Sequence, residues 1–385
     1  MVTDLLIGAS CFGLLVLLLQ RICVGVALRR PPPRPSTTPG ISILKPLCGV
    51  DEALDENLAA FAALDYPHFE VLLGVKDRDD AAWPLALSWA IRDRRFRVVQ
   101  QRSAPGLNPK VNQLITLGAE ARHPLLLVSD SNARLPPEAL REIAARFEDS
   151  RVGLVVNPVS GLGHASLGAL LDNLYMASSV AAPQLGVSAL LGRGIVNGKS
   201  MTLRRAALDD LGGFSSVADV LAEDYVMGED LRAAGWRVSV AVTPVWNVSV
   251  QRSVGSFFAR YLRWGVIFRT AVSLPASLAH GLINPLPWWA LALALTPRVD
   301  LALGFLCAAA LKVSLDLSVA RAVRCGPFDW RVVPAVLLKD SFLFVAWLRG
   351  FFVRTVRWRG QRLRVGARSR LLGPTPQLTP ARSLP

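Results

Sequence analysis

The chain has 385 residues, of which 52% are hydrophobic and only 19% charged, with a formal net charge of +14. That balance describes a membrane enzyme rather than a soluble one, and the length allows one soluble domain plus several spanning segments. Much of the positive excess flanks apolar segments, which points to anionic lipid headgroups and away from nucleic acid, and the five cysteines show neither Cys-x-x-Cys nor Cys/His ligand spacing, which argues against zinc and a disulfide framework.

The first apolar stretch, residues 5–28, is interrupted by Gln20 and Arg21 but is long enough to cross a bilayer core, which takes about 20 residues of helix. No basic residue precedes it, and Arg29, Arg30 and Arg34 follow it. This is the pattern of an uncleaved anchor with a cytoplasmic C-terminal flank rather than of a cleaved signal peptide. Pro31-Pro32-Pro33 then makes a stiff spacer.

Short apolar runs at 41–44, 69–75, 96–99 and 124–128 read as strands, and 52–64 and 111–117 between them have helical spacing. Strands alternating with helices predict parallel pairing, with ligands bound beyond the carboxyl ends of the strands. Asp77, Asp79 and Asp80 follow the second strand, either as turn residues or as ligands. Asp130 is delivered straight from the fourth strand, with Asn132 two residues on; a divalent cation bound with a diphosphate needs one or two such carboxylates. Between them, 106–112 enters a helix with Lys110 and backbone N–H groups that suit an anion. Gly198-Lys199-Ser200 lacks the first glycine of a Walker loop, which argues against nucleotide hydrolysis. Glu223 and Asp224 open a helix, either complementing its dipole or supplying a carboxylate that takes a proton from an attacking hydroxyl.

Residues 251–270 are basic, aromatic and amphipathic, and contain Arg260-Tyr261-Leu262-Arg263-Trp264. Such a segment serves as an interfacial anchor or, with guanidinium forks suited to phosphate and an indole suited to the boundary, as part of a site at a membrane surface. Beyond it, 278–295 and 301–319 read as two spans joined near Pro297-Arg298, with Lys312 and Asp316 spaced to pair on one helix face. The third apolar segment, 332–352, carries Lys339, Asp340 and Arg349 and has arginines on both flanks, so it is expected to be re-entrant or interfacial. Residues 372–385 are expected to be disordered.

Several ordered motifs resemble the ceramide glucosyltransferases and their bacterial relatives. They are Ile43-Leu44-Lys45-Pro46-Leu47, Leu64-Asp65-Tyr66-Pro67, the cluster at 76–80, Asn108-Pro109-Lys110-Val111-Asn112, Asp130-Ser131, Ala222-Glu223-Asp224-Tyr225 and the Arg260/Arg263/Trp264 box. The resemblance implies an α/β fold of GT-A type with a mostly parallel sheet, plus N- and C-terminal transmembrane helices. It implies inverting transfer of glucose from UDP-glucose to the primary hydroxyl of ceramide. Asp224, Arg260, Arg263 and Trp264 would be catalytic, and Asp79 or Asp80, Lys110, Asn112 and Asp130 would bind the nucleotide sugar. Asp130 would also hold Mg²⁺ or Mn²⁺. Asn132 departs from the glycine common after Asp-Ser in the ceramide enzymes. Hopanoid-linked enzymes using UDP-N-acetylglucosamine are similar, and the competing functions are those of a polysaccharide synthase and of a non-catalytic membrane scaffold. The expected organisation is an anchor and spacer (1–35), a cytoplasmic catalytic domain (36–250), an interfacial helix (251–272), membrane segments (273–352) and a basic tail (353–385), in an integral membrane protein acting on a UDP-sugar and a membrane lipid.

Overall fold

The computed structural model describes residues 1–326, 328–358 and 361–373. It opens with α1 (Val2–Leu28), a single helix whose side is largely exposed and whose Arg21 donates through Nε to Ser318 Oγ at 2.8 Å. The chain then builds its sheet in alternation: β1 (Ile41–Pro46), α2 (Leu54–Ala62), β2 (Phe69–Val75), α3 (Trp83–Arg92), β3 (Phe96–Gln100), α4 (Pro109–Glu120) and β4 (Leu125–Ser129). All residues of β2 and β4 are buried, as expected for strands covered on both faces. Their side chains alternate between two cores. Ile43, Val71, Leu73 and Leu127 pack on one face, and Leu44, Leu72, Leu126 and Val128 on the other.

The second half is less regular. It runs through β5 (Ala133–Arg134), α5 (Ala139–Arg146), β6 (Val152–Val156), β7 (Val159–Leu162), α6 (Leu167–Leu174), a π-helical turn (Tyr175–Val180) and α7 (Ala181–Leu191), then β8 (Ser200–Arg204), α8 (Arg205–Asp210), α9 (Glu223–Ala233), β9 (Arg237–Val240) and β10 (Val245–Val248). The main sheet has seven strands in the order β3-β2-β1-β4-β8-β6-β9. Neighbours pair in parallel except at β8, which is antiparallel to both β4 and β6. The sheet is therefore mostly parallel, as the alternation predicted. A small sheet, β5-β10-β7, forms a second layer.

The box lies on α10 (Val254–Ala271), and α11 (Leu274–Leu282), α12 (Pro285–Leu295), α13 (Val299–Ala322) and α14 (Val332–Gly350) follow. By length and composition, α1, the composite helix Leu167–Leu191 and α13 can each cross a membrane. The stretch expected as one span at 278–295 is instead a pair, α11 and α12, bent by 67°. The bend falls before Pro285, which supplies no N–H and disfavours helical geometry at Asn284. Of the segment expected to be re-entrant or interfacial, Val332–Gly350 is one unbroken helix packed against α10. Its charges find partners: Lys312 meets Asp316 at 2.6 Å and Asp340 at 3.3 Å, and Lys339 meets both aspartates at 2.9 Å. The pairing of Lys312 with Asp316 along one helix face is as the spacing predicted.

The basic tail also has structure. β11 (Thr355–Trp358), β12 (Gln361–Val365) and β13 (Leu371–Leu372) form an antiparallel sheet. Val356, Leu363, Val365 and Leu371 pack with Leu221 and Val266, which fixes that sheet against the segment before α9 and against α10. Of the tail expected to be disordered, 374–385 lie outside the described residues.

Candidate active site

The antiparallel β8 decides the chemistry beyond the sheet. Its register sets Ser200 opposite Ser129, so the residue before β8, Lys199, arrives beside the residue after β4, Asp130. Lys199 Nζ lies 3.0 Å from Asp130 Oδ2 and donates to Asn132 Oδ1 at 2.6 Å. From the other side comes Lys110. Asn108 caps α4 by accepting from the N–H groups of Lys110 and Val111, and Pro109 takes the first helical position. Lys110 Nζ then reaches Asp130 Oδ1 at 3.0 Å and Glu223 Oε1 at 2.9 Å. A third amine, that of the fully buried Lys45, donates to the Asp130 carbonyl at 2.8 Å and lies 3.9 Å over the Phe61 ring.

These contacts set the charges. Burial opposes ionisation of Asp130, but Lys110 and Lys199 outweigh it and hold the carboxyl well below its usual range. Burial likewise works against Lys110, which Asp130, Glu223 and Asp224 together raise well above an ordinary lysine. Lys199 ends lower, at about 8, because burial and Arg260 outweigh Asp130, and burial takes Lys45 down to about 7. Asp224 moves the other way. Burial and the Glu223 carboxylate push it up to about 6, against Lys110 and the N–H groups of Gly198 and Tyr225 that donate to its two oxygens. A carboxylate with that pKa is mostly ionised at neutral pH and is a better proton acceptor than an ordinary aspartate. Gly198 packs tightly here: a Cβ at that position would lie 3.0 Å from Asp224 Oδ2 and 3.1 Å from Lys110 Nζ, so both side chains would have to shift slightly.

Arg260 approaches the same cluster from α10. Its Nη1 lies 3.1 Å from Asp172 Oδ2 on α6; Tyr261 Oη donates to Asp172 Oδ1 at 2.6 Å, and Asn247 Nδ2 to Oδ2 at 3.2 Å. Burial works against the Arg260 charge, but Asp172 outweighs it, and Asp130 is close enough to contribute. Trp264, one turn further on, packs edge-on against Tyr175 and Tyr261, with centroids 5.9 Å and 5.5 Å apart. Arg263 is its neighbour on α10.

The structure thus gathers Lys110, Asp130, Asp224 and Arg260. It does not bring every candidate into that cluster. Asp80 Oδ1 accepts from Gly49 and Ala82 N–H groups, which ties the loop after β1 to the start of α3, and Asp79 donates its N–H to Asp77 in a turn. The Asn112 amide spends both ends on the Gly106 backbone, so it shapes the Lys110 loop from behind. The N–H groups of Lys110 and Val111 are committed to Asn108, a correction to the expectation that they are free for an anion.

The model of glycosyl transferase family 21 matches residues 5–371. The chain belongs to that family. Among curated relatives, it is 29% identical over 231 residues to ceramide glucosyltransferase 1 of Caenorhabditis elegans, covering 59% of this chain and 49% of the relative. It is 28% identical over 235 residues to ceramide glucosyltransferase 3 of the same organism, covering 60% and 50%. The chain spans about half the length of the curated relatives it matches. Among solved structures it is similar to the mannosyltransferase PcManGT from Pyrobaculum calidifontis in complex with GDP-Man and Mn²⁺, 18% identical, covering 89% of this chain and 99% of that one with a TM-score of 0.55. At that identity the likeness speaks to the fold, which is GT-A-like.

The sequence leads to the expectation of a divalent cation at Asp130. Among the described residues, no group of three or more His, Cys, Asp or Glu side chains is gathered to hold one. Both oxygens of Asp130, the carboxylate expected to hold it, face ammonium groups. The arrangement fits a cation that arrives with a diphosphate supplying the remaining ligands, and not one resident beforehand.

Four residues of this site were not singled out by the motifs. Lys45 stands inside the first motif, but as a lysine in a buried strand it gives no sign of facing Asp130. Lys199 belongs to the rejected phosphate-loop match; its signal is a lysine just before a strand, which becomes informative once that strand is known to run against β4. Gly198 comes with it. Asp172 is an acid in an otherwise apolar helix, a pattern that marks function.

Proposed function

We propose that the protein transfers glucose from UDP-glucose to the primary hydroxyl of ceramide, inverting the anomeric linkage to β. The observation that carries the reading is the placement of Asp224, raised to about 6, beside the Lys110–Asp130–Lys199 cluster, which Arg260 approaches from the helix that leads to the apolar segments. The names of the curated relatives support glucose and ceramide as the substrates.

Asp224 takes the proton of the lipid hydroxyl as its oxygen attacks the anomeric carbon, and the bond to UDP breaks. Lys110 and Lys199 offer ammonium donors to the diphosphate, and Arg260, oriented by Asp172, stabilises the charge that develops on departing UDP. Arg263 shares that work from the next turn. Asp130 would hold Mg²⁺ or Mn²⁺ brought in with the diphosphate, and the ion would supply charge neutralisation there. Asp79 and Asp80 border the uridine side, with Asn112 keeping the Lys110 loop in shape. Trp264 lines the lipid side. In this reading 36–250 is the catalytic domain on the cytoplasmic face, 251–272 lies in the interface, 1–35 anchors the chain and 273–352 is membrane-embedded.

The test is an assay of purified protein with a panel of UDP-sugars against ceramide, diacylglycerol and hopanoid alcohols. Glucosylceramide as the dominant product supports the proposal. Preferential turnover of another pair replaces it, and failure to bind any UDP-sugar returns the chain to the scaffold reading.

A further inference from the structure

Away from the catalytic cluster, a cavity of about 410 Å³ opens where the end of α10 meets the C-terminal sheet. Among the described residues, Arg269, Thr270, Arg354, Arg364 and Leu372 line it with the three chain neighbours at 365–367, and no carboxylate does. Arg269 is anchored: its Nε donates to Gly350 O at 2.9 Å and its Nη2 to Val353 O at 3.1 Å, capping the end of α14. Arg354 is close enough to repel it. Three guanidinium groups, those of Arg354 and Arg364 exposed, thus face one hollow; an anion placed among them offsets their mutual repulsion, and planar forks of donors suit a phosphate. The setting selects the source of that phosphate. Exposed Phe352 and Leu274 lie within a few residues of the cavity wall in sequence, and Leu372 is itself exposed. A ligand with a phosphate head and apolar tails fits both parts.

The C-terminal sheet is also bonded to the catalytic loop. Leu371 N–H donates to Asp219 O, Leu221 N–H to Ser369 O, and Ala222 N–H to Ser369 Oγ, so 219–222 is held along the strand edge just before Glu223 and Asp224. Asp219 in turn accepts from the Leu107 N–H, and Val220 O from Asn108, at the loop that carries Lys110. We propose that this arginine-lined cavity binds the phosphate of an anionic phospholipid headgroup, and that occupancy stiffens the loop 219–222 through the C-terminal sheet. Its lining shares no residue with the Lys110, Asp130, Asp224 and Arg260 cluster.

The experiment uses the full chain in nanodiscs of phosphatidylcholine with graded fractions of phosphatidylglycerol. Native mass spectrometry reads retained lipid, and amide exchange reads 219–222. In the wild type, phosphatidylglycerol is retained selectively and slows exchange at 219–222. The double variant Arg354→Gln/Arg364→Gln loses about thirty-fold in that retention and loses the protection, whereas Arg354→Lys/Arg364→Lys keeps most of both. Arg29→Gln/Arg30→Gln, which removes the same charge elsewhere, keeps both. Equal retention in wild type and the Arg354/Arg364 glutamine variant, or equal loss in the Arg29/Arg30 variant, overturns the site. Inorganic phosphate in neutral nanodiscs giving the same protection overturns the lipid source, and lipid binding without protection overturns the coupling. None of these readouts depends on which sugar or acceptor the enzyme uses.

Discussion

Replacing Asp224 by Asn separates the role of its charge from that of its shape. Its two oxygens each accept one backbone N–H, from Gly198 and from Tyr225. An amide has one oxygen, so one of those donors is left facing an NH₂ group, a local cost of about 1–3 kcal/mol. The variant also cannot accept the acceptor's proton, and loss of a general base costs roughly 10²–10⁴-fold in rate. The pH profile distinguishes this from simple misplacement. With a pKa of about 6, Asp224 is ionised to roughly 90% at pH 7 and roughly 10% at pH 5, so the wild-type single-turnover rate at saturating donor falls about ten-fold over that interval. The sign follows from the base being active only when deprotonated. On the alkaline side the rate falls again as Lys199, lowered to about 8, loses its charge. Asp224→Asn is expected to keep UDP-sugar affinity and the alkaline limb, and to lose the acid limb along with most of the rate. An unchanged acid limb near pH 6 in the variant, or lost donor affinity with an intact single-turnover rate, refutes the assignment.

Asp172→Asn removes the charge that orients Arg260 and leaves that buried guanidinium poorly compensated, an error that typically costs about 3–5 kcal/mol; kcat is expected to drop well beyond any change in donor KM, with partial recovery in Asp172→Glu, and an unaltered kcat would show that Arg260 needs no such partner. Calorimetric titration of Mn²⁺ is expected to show binding only when UDP is present, and none in Asp130→Ala; full turnover of metal-stripped wild type in EDTA would remove the metal from the reaction. For topology, Thr3 and Thr296 hydrogen-bond at 2.8 Å, which puts the start of α1 beside the turn between α12 and α13. In a cysteine-free background, Arg298→Cys is expected to react with an impermeant maleimide from outside, and Ser36→Cys and Gly373→Cys only after the membrane is opened; outside labelling at either of the latter two contradicts the cytoplasmic placement.

The parallel half of the sheet was legible because buried strands leave continuous apolar runs, and because an acid directly after such a run, as at Asp130, has no place in the core. Pairing partners beyond β4 were not legible. Nothing local in Ser200–Arg204 states that it runs antiparallel, and that direction is what makes Lys199 part of the site. Leu167–Leu191 hides its role for a different reason: it is apolar enough to pass for a membrane span, yet more than half of it is buried within the protein, with Asp172 facing Arg260. In the tail, the alternation Arg362-Leu363-Arg364-Val365 carried a strand signal that the arginines obscured, since their charge suggested only a cytoplasmic flank. The bend before Pro285 was hidden by the apolar run around it, which reads as one span, and the partners that make α14 tolerable as a helix come from α13 and could not be read from α14 alone.

Those four charges have a consequence for depth. Packing among leucine, valine and alanine is nearly indifferent to sliding, because one turn of apolar surface resembles the next. The ring of Lys312, Asp316, Lys339 and Asp340 is not indifferent: a slip of one turn, about 5.4 Å, would separate both pairs that bridge α13 and α14. Axial position is therefore keyed by electrostatics, as a notch keys a shaft. The key is passed on, since α14 lies so close to α10 at Gly350 and Gly265 that a Cβ on either would collide with the backbone of the other helix. The position of α10, and with it Arg260, is thus tied through α14 to the charged ring, and a neutralising change in the ring is expected to shift Arg260 relative to Asp130 and Lys110.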